Sequence, residues 1–235
     1  MAEVGSVVLP GDQVRLMINT EDSTRFVTGP GLRRDSDQVT VSKAGILKHK
    51  EPNIYWVDSR QKRYIPTKGE NVIGIVTMKA GDVFRVDIGG SEQASLSYLS
   101  FEGATKRNRP DVKIGDLVFG RLLVSNKDME PELVCISSNG RSNGMGVIRD
   151  GGFMFTVPLN LIRKLLSSDC NLLKTLGHHL PFEVAIGMNG RVWVKGRSVR
   201  ETIAISNAIS SAEFMDNMQI KMMCNKLVDA LTGFT

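Results

Sequence analysis

From Lys68 to Ser138 the chain is a series of short apolar or alternating runs broken by glycine turns, which restricts it to small strands. The run Asn71 to Thr77 is β-branched and apolar on both sides. The next run alternates, with Phe84, Val86 and Ile88 on one side and Arg85 and Asp87 on the other. That period of two predicts a strand with one face in a core and one in water. A third run, Ala94 to Leu99, follows the Gly89-Gly90 turn, and Leu117 to Val124 and Leu133 to Ile136 supply two more. A long polar link, Ser100 to Asp116, separates the third run from the fourth. Five short strands with this spacing match an OB-type barrel, an architecture that binds single-stranded nucleic acid on a strand face and its loops.

On either side of the barrel the texture changes. Residues 1–65 read as a small all-β domain, with candidate strands at Val4–Leu9, Gln13–Ile18, Gln38–Ser42, Ile46–His49 and Ile54–Asp58. A domain this small makes little core of its own and is expected to lean on a neighbour. Residues 66–146 hold the barrel, and 147–235 read as a KH-like α+β domain. There Phe153–Val157 is strand-like, and Pro158 opens a helix over Leu159–Leu166. Asp169 is the expected cap of a second helix, Cys170–Leu176, stopped by Gly177. Phe182–Ile186 and Arg191–Lys195 are strands. A long helix from Ser198 to Phe214 is expected to bury Val199, Ile203, Ile205 and Ile209. A last helix, Asp216–Leu231, carries Met218, Met222, Met223, Leu227 and Leu231, with the methionines as packing surface. The fold class is mainly β with an α+β carboxyl-terminal domain.

A net charge of +5 spread over 235 residues is a mild basic bias. Residues 66–146 carry ten basic and ten acidic side chains, so any RNA contact on the barrel has to be local. Cys135, Cys170 and Cys224 are scattered and form no CxxC, which suits reduced thiols rather than a disulfide framework. His49, His178 and His179 lack metal-ligand spacing, and no nucleophile–base set stands out, so no cofactor, metal or catalytic residue is expected. No run approaches a membrane span, and the first twenty residues do not read as a signal peptide.

Three motifs remain. Gly-Asp or Gly-Glu precedes an apolar strand at Gly11-Asp12, Gly69-Glu70, Gly81-Asp82 and Gly115-Asp116, and reads as a strand-opening turn. Lys106-Arg107-Asn108-Arg109 lies in the long link beside the barrel, where its cations are placed for phosphates; the alternative is an ordinary solvated loop. Gly187-Met188-Asn189-Gly190 has the GxxG spacing that KH domains use on an RNA backbone, yet it stands between two strands rather than two helices. Two readings follow: a hairpin turn packed against the barrel, or an RNA clamp.

Taken together, Val8-Leu9-Pro10-Gly11-Asp12, the segment Ser95 to Pro110, the segment Asn126 to Glu132 and Gly187 to Arg191 resemble the S1/KH-type cap subunits of the RNA exosome along essentially the whole chain. The resemblance implies a non-catalytic subunit that docks through its amino-terminal domain on a ring of RNase-PH-like subunits, beside other cap subunits. It would guide single-stranded RNA 3′ ends towards associated exonucleases, in nucleus, nucleolus and cytoplasm; neither DNA nor a membrane is an expected partner. It points to Lys106, Arg107 and Arg109 as RNA-facing, with Lys79 and Arg85 as further contacts, and to Gly187, Met188, Asn189 and Gly190 as the GxNG position. Two departures are visible: Ala80 stands before Gly81 where S1-type barrels usually offer an aromatic, and the third strand ends Ser97-Tyr98 rather than in His. A thin stacking platform implies weak binding alone and useful binding only inside an assembly. The alternatives are a free-standing RNA-binding protein, which needs tight binding by the isolated chain, and a nuclease, which needs a carboxylate cluster or an activated nucleophile.

Overall fold

The computed structural model describes residues 3–14, 27–35, 38–51, 53–126, 128–149 and 151–232, with side chains to 231. The chain divides into two units, Met1–Arg60 and Gln61–Thr235. Strand β1 (Val7–Val8), β2 (Val27–Thr28), β3 (Leu32–Asp35), β4 (Gln38–Val41), β5 (Gly45–Lys50) and β6 (Ile54–Asp58) form the first unit. A four-stranded sheet runs β1-β5-β6-β2, and β3 and β4 make a separate hairpin. Its core is Val8, Val14, Val39, Val41, Leu47 and Val57. Gln13 makes only an isolated bridge to Thr40, Val14 N–H donates to Val39 O at 2.9 Å, and residues 15–18 of the expected strand lie outside the described residues.

In the second unit, β7 (Asn71–Ala80), β8 (Val83–Asp87), β9 (Ala94–Ser97), β10 (Leu117–Asn126), β11 (Met129–Val134) and β12 (Gly146–Ile148) share one sheet in the order β11-β9-β8-β7-β10-β12. Pairing of β10 with β11 closes five of these strands into a barrel, and β12 extends the sheet beside the first part of β10. Strands β9 and β11 run parallel, as an OB-type order requires. The alternation read in β8 is the one found: Phe84, Val86 and Ile88 are buried with Val72, Val76, Leu96, Val118, Leu122 and Leu133, while Arg85 and Asp87 face outward. Gly74 lets β7 cross the core closely, since a Cβ there would lie 2.2 Å from Val86 Cγ1. Tyr64, which the sequence reading placed in the amino-terminal piece, joins this core, and its hydroxyl donates to Glu70 Oε2 at 2.6 Å. Burial and the neighbouring Glu70 carboxylate both raise the Tyr64 phenol above its ordinary range.

The remaining elements are β13 (Phe153–Thr156), α1 (Leu159–Leu166), α2 (Leu172–His179), β14 (Phe182–Ile186), β15 (Arg191–Gly196), α3 (Val199–Ser211) and α4 (Asn217–Thr232). A sheet ordered β13-β15-β14 packs under the helices on Leu161, Ile162, Leu172, Leu176, Val192, Val194, Ile205 and Ile209. Several helix readings are corrected here. The cap of α2 is Asn171, not Asp169, and Gly177 sits inside the helix, which ends after His179 with Leu180 N–H donating to Leu176 O. Val199 and Ile203 are exposed, because α3 turns Ile205, Ala208 and Ile209 inward instead. On α4 the buried residues are Ile220 and Cys224, whereas Met218 and Met222 face solvent. Cys135 is buried in the barrel, which pushes its thiol up to about 12. No helix among the described residues is long and apolar enough to cross a membrane.

Candidate nucleic-acid interface

The strand-opening turns share one backbone form, and within the barrel Gly81 and Gly115 flank the far end of β7, whereas Gly69 precedes its start. Gly11, Gly69, Gly81 and Gly115 all take positive φ. Asp12 and Asp116 each accept a backbone N–H three residues earlier, from Leu9 and Lys113, at 2.8 Å. The turn at Gly81 brings Lys79 and Asp82 to the same end of the barrel as the long link. Arg109 of that link lies 3.1 Å from Asp82 and 4.8 Å above the ring of Tyr98. Tyr98 and Phe84 are buried, so neither ring is open to a base, and Lys79 Nζ sits 5.6 Å from the Phe84 centroid.

Lys106 and Arg107 form the apex of the link. Thr105 N–H donates to Asn108 O and Asn108 N–H donates to Thr105 Oγ1, both at 3.0 Å. The Asn108 amide donates to Gly103 O at 3.2 Å, folding the apex back on its own base. The link is then fastened on both flanks. Ser142 N–H donates to Glu102 at 2.8 Å, and Arg149 donates to Asp111 O at 2.7 Å. Lys106 and Arg107 stand exposed at the tip of this braced stem, and Arg109, though paired with Asp82, also keeps an exposed side chain. Lys79, Lys106, Arg107 and Arg109 thus belong to one end of the barrel.

Arg85 does not join them. It lies on the outer strand face and pairs with Glu130 of β11. Its neighbours on that face are Ser95, Ser97 and Glu132, with no aromatic side chain among them. The strand face that OB-type barrels offer to bases is therefore polar in this chain, with Arg85 paired, and the clustered exposed cations are those of the link and of Lys79 at the end of β7.

The GxNG turn is elsewhere, between β14 and β15, and it is sewn into the barrel. Asn189 is buried; its amide donates to Ile73 O and Ile88 O at 2.8 Å, and its carbonyl accepts from Ile73 N–H at 3.3 Å. Met188 N–H donates to Asn71 O at 2.8 Å. Arg191 reaches Asp87 O at 2.6 Å and the Asp87 carboxylate at 2.5 Å. Burial disfavours the charged Asp87, yet the Gly89 N–H and the Arg191 guanidinium outweigh it and hold the carboxyl below its ordinary range. Gly190 has φ +86°, and a Cβ there would lie 2.8 Å from Val157 O. This geometry is a structural turn joining two cores. Its Gly187, Met188 and Gly190 N–H groups and the Asn189 side chain are bonded within the protein rather than open to a phosphate.

Profiles for the exosome complex component RRP40 S1 domain, a KH domain, and the mammalian exosome complex component RRP40 amino-terminal region match residues 64–146, 152–200 and 6–60. The exosome complex component RRP40 of Homo sapiens is 50% identical over 97% of this chain and 92% of its own length. The chain belongs to the RRP40 family. The Drosophila melanogaster RRP40 protein is 48% identical over 98% of this chain and 99% of its own. A solved structure described as a putative exosome complex RNA-binding protein superposes with a TM-score of 0.60 at 20% identity, over 74% of this chain and all of the other, which speaks for the shared fold.

Sequence reasoning about this RRP40-family chain missed Asp82 and Glu102 as fasteners of the basic link, and Arg191 as the tie between the GxNG hairpin and the barrel. The signal for Arg191 was present, since it directly follows the hairpin glycine; its partner Asp87 is 104 residues away and is brought near only by the fold. Among the described residues no group of three or more His, Cys, Asp or Glu side chains is placed to hold a metal ion.

Proposed function

We propose that this chain is a non-catalytic, RNA-binding cap subunit of the exosome. Its barrel guides single-stranded RNA 3′ ends towards exonucleases that other subunits carry, for RNA processing and turnover. The observation that carries this reading is the braced link, which presents Lys106 and Arg107 in solvent at the end of a closed barrel, in a chain of the RRP40 family. Four exposed cations, one of them paired with Asp82, without an open aromatic platform give weak, salt-sensitive affinity, as suits a surface working inside an assembly. The proposed partners are RNase-PH-like ring subunits, other cap subunits and exonucleases, and the proposed location is nucleus, nucleolus and cytoplasm.

Affinity capture of the tagged full chain from its own cells, read by mass spectrometry, tests the assembly. Ring subunits and an exonuclease recovered in near-equal amounts are expected. Recovery of the chain by itself, binding RNA tightly, would favour a free-standing RNA-binding protein instead.

A further inference from the structure

The Glu102 contact brings a second loop alongside the basic link. Residues 137–145 read Ser-Ser-Asn-Gly-Arg-Ser-Asn-Gly-Met, two Ser-Asn-Gly triads around Arg141. Ser137 N–H donates to Arg141 O at 2.8 Å, Gly140 N–H to Ser137 O at 2.9 Å and Met145 N–H to Ser142 O at 2.9 Å. Gly140, Asn143 and Gly144 take positive φ of 71, 48 and 80°, so the loop is a compact, internally bonded double turn. Its side chains Ser138, Asn139, Arg141 and Asn143 are exposed. The loop also leaves the barrel next to the basic link, because Cys135 N–H donates to Ser100 O at 2.9 Å. The two loops thus start together and are joined again at Glu102 and Ser142, four residues before Lys106.

We infer that residues 137–145 form the second wall of the RNA contact, in which Arg141 takes a backbone phosphate beside those held by Lys106 and Arg107, and Glu102 is a positioning residue that keeps the two loops in register. This rests on the reading of the basic link as RNA-facing. A guanidinium suits a phosphate through paired N–H donors. Asn139 and Ser138 add exposed donors and acceptors for sugar or base edges. Neither 102–109 nor 137–145 contains an aromatic residue, so the strand is gripped by its backbone with little base preference.

Glu102 gives this arrangement a distinctive signature. Were it only a charge near the RNA, its removal would tighten binding, since an anion repels phosphate. As a positioning residue its removal loosens binding, and glutamine, which keeps an oxygen for the Ser142 N–H, does not.

The experiment measures binding of a fluorescent oligouridylate to the reconstituted complex carrying the full chain, as a function of salt. The variants are R141A, E102A, E102Q and the triple K106A/R107A/R109A, each recovered in the complex at wild-type stoichiometry. R141A is expected to weaken binding roughly 3- to 10-fold and to flatten the slope of log K against log salt by about 0.7, one phosphate contact on a single strand. E102A is expected to weaken binding despite losing a negative charge, and E102Q to match or exceed wild type. An R141A complex with wild-type affinity and slope, beside a weakened triple variant, overturns the second wall and leaves the basic link standing. If the triple variant is also unchanged, the RNA-facing reading of the link falls with it. Tighter binding by E102A removes the positioning role.

Discussion

At the scale of single residues, the hairpin between β14 and β15 has the least tolerance for change. The Asn189 amide serves two carbonyls, on Ile73 and Ile88, with donors that an aspartate lacks. Asn189→Asp is expected to destabilise the second unit by about 3 kcal/mol, the cost of leaving buried acceptors unpaired beside a new charge. Gly190→Val adds a side chain at φ +86° and 2.8 Å from Val157 O, and is expected to cost about 2 kcal/mol or more, lowering Tm by roughly 4–8 °C. Thermal melts of the two variants check both; a wild-type Tm for either would contradict the junction described above. Asp87 adds a pH dependence. Its folded carboxyl titrates below the unfolded value, so its contribution is present above the unfolded pKa of about 3.9 and is lost as pH falls through the folded value. Wild-type stability should therefore drop more steeply below about pH 4 than that of Asp87→Asn, while the two curves run parallel near pH 7; equal acid slopes would remove this role.

At the scale of elements, legibility followed how directly burial was written into residue type. The half-buried strand β8 announced itself, because Phe84, Val86 and Ile88 alternate with Arg85 and Asp87. Pro158 and the apolar spacing beyond it gave α1 at its observed bounds, Leu159–Leu166. Helix α3 misled for the opposite reason. Its inward residues are Ile205, Ser206, Ala208 and Ile209, half of them small, while the larger Val199 and Ile203 lie outside. Gly177 misled because glycine marks helix ends more often than exposed interiors. Since nothing lies within 4 Å of a Cβ placed there, Gly177→Ala is expected to stabilise the unit by about 0.5–1 kcal/mol, measured by urea denaturation. A destabilised variant would mean that α2 does end at that glycine. For the candidate site, the sequence carried the cations but not their fasteners. Lys106, Arg107 and Arg109 stand together in one loop, whereas Asp82, Ser142 and Arg149 reach that loop from elsewhere in the chain.

At the scale of the whole molecule, charge bookkeeping decides how RNA is met. The barrel segment carries no net charge, Arg85 on its strand face is paired with Glu130, and the rings of Phe84 and Tyr98 are buried. On the proposed function, RNA contact falls to the loop end, and its strength would depend on what stands beside it in an assembly. Replacing Lys106, Arg107 and Arg109 by alanine should leave assembly intact and weaken RNA binding by the complex about tenfold or more at physiological salt. The most direct measurement is photocrosslinking of thiouridine-substituted single-stranded RNA to the assembled complex, with the crosslinked peptides of this chain sequenced. Crosslinks concentrated in residues 101–109 are predicted. Crosslinks confined to the outer face around Arg85, or to the turn from Gly187 to Gly190, would contradict the account.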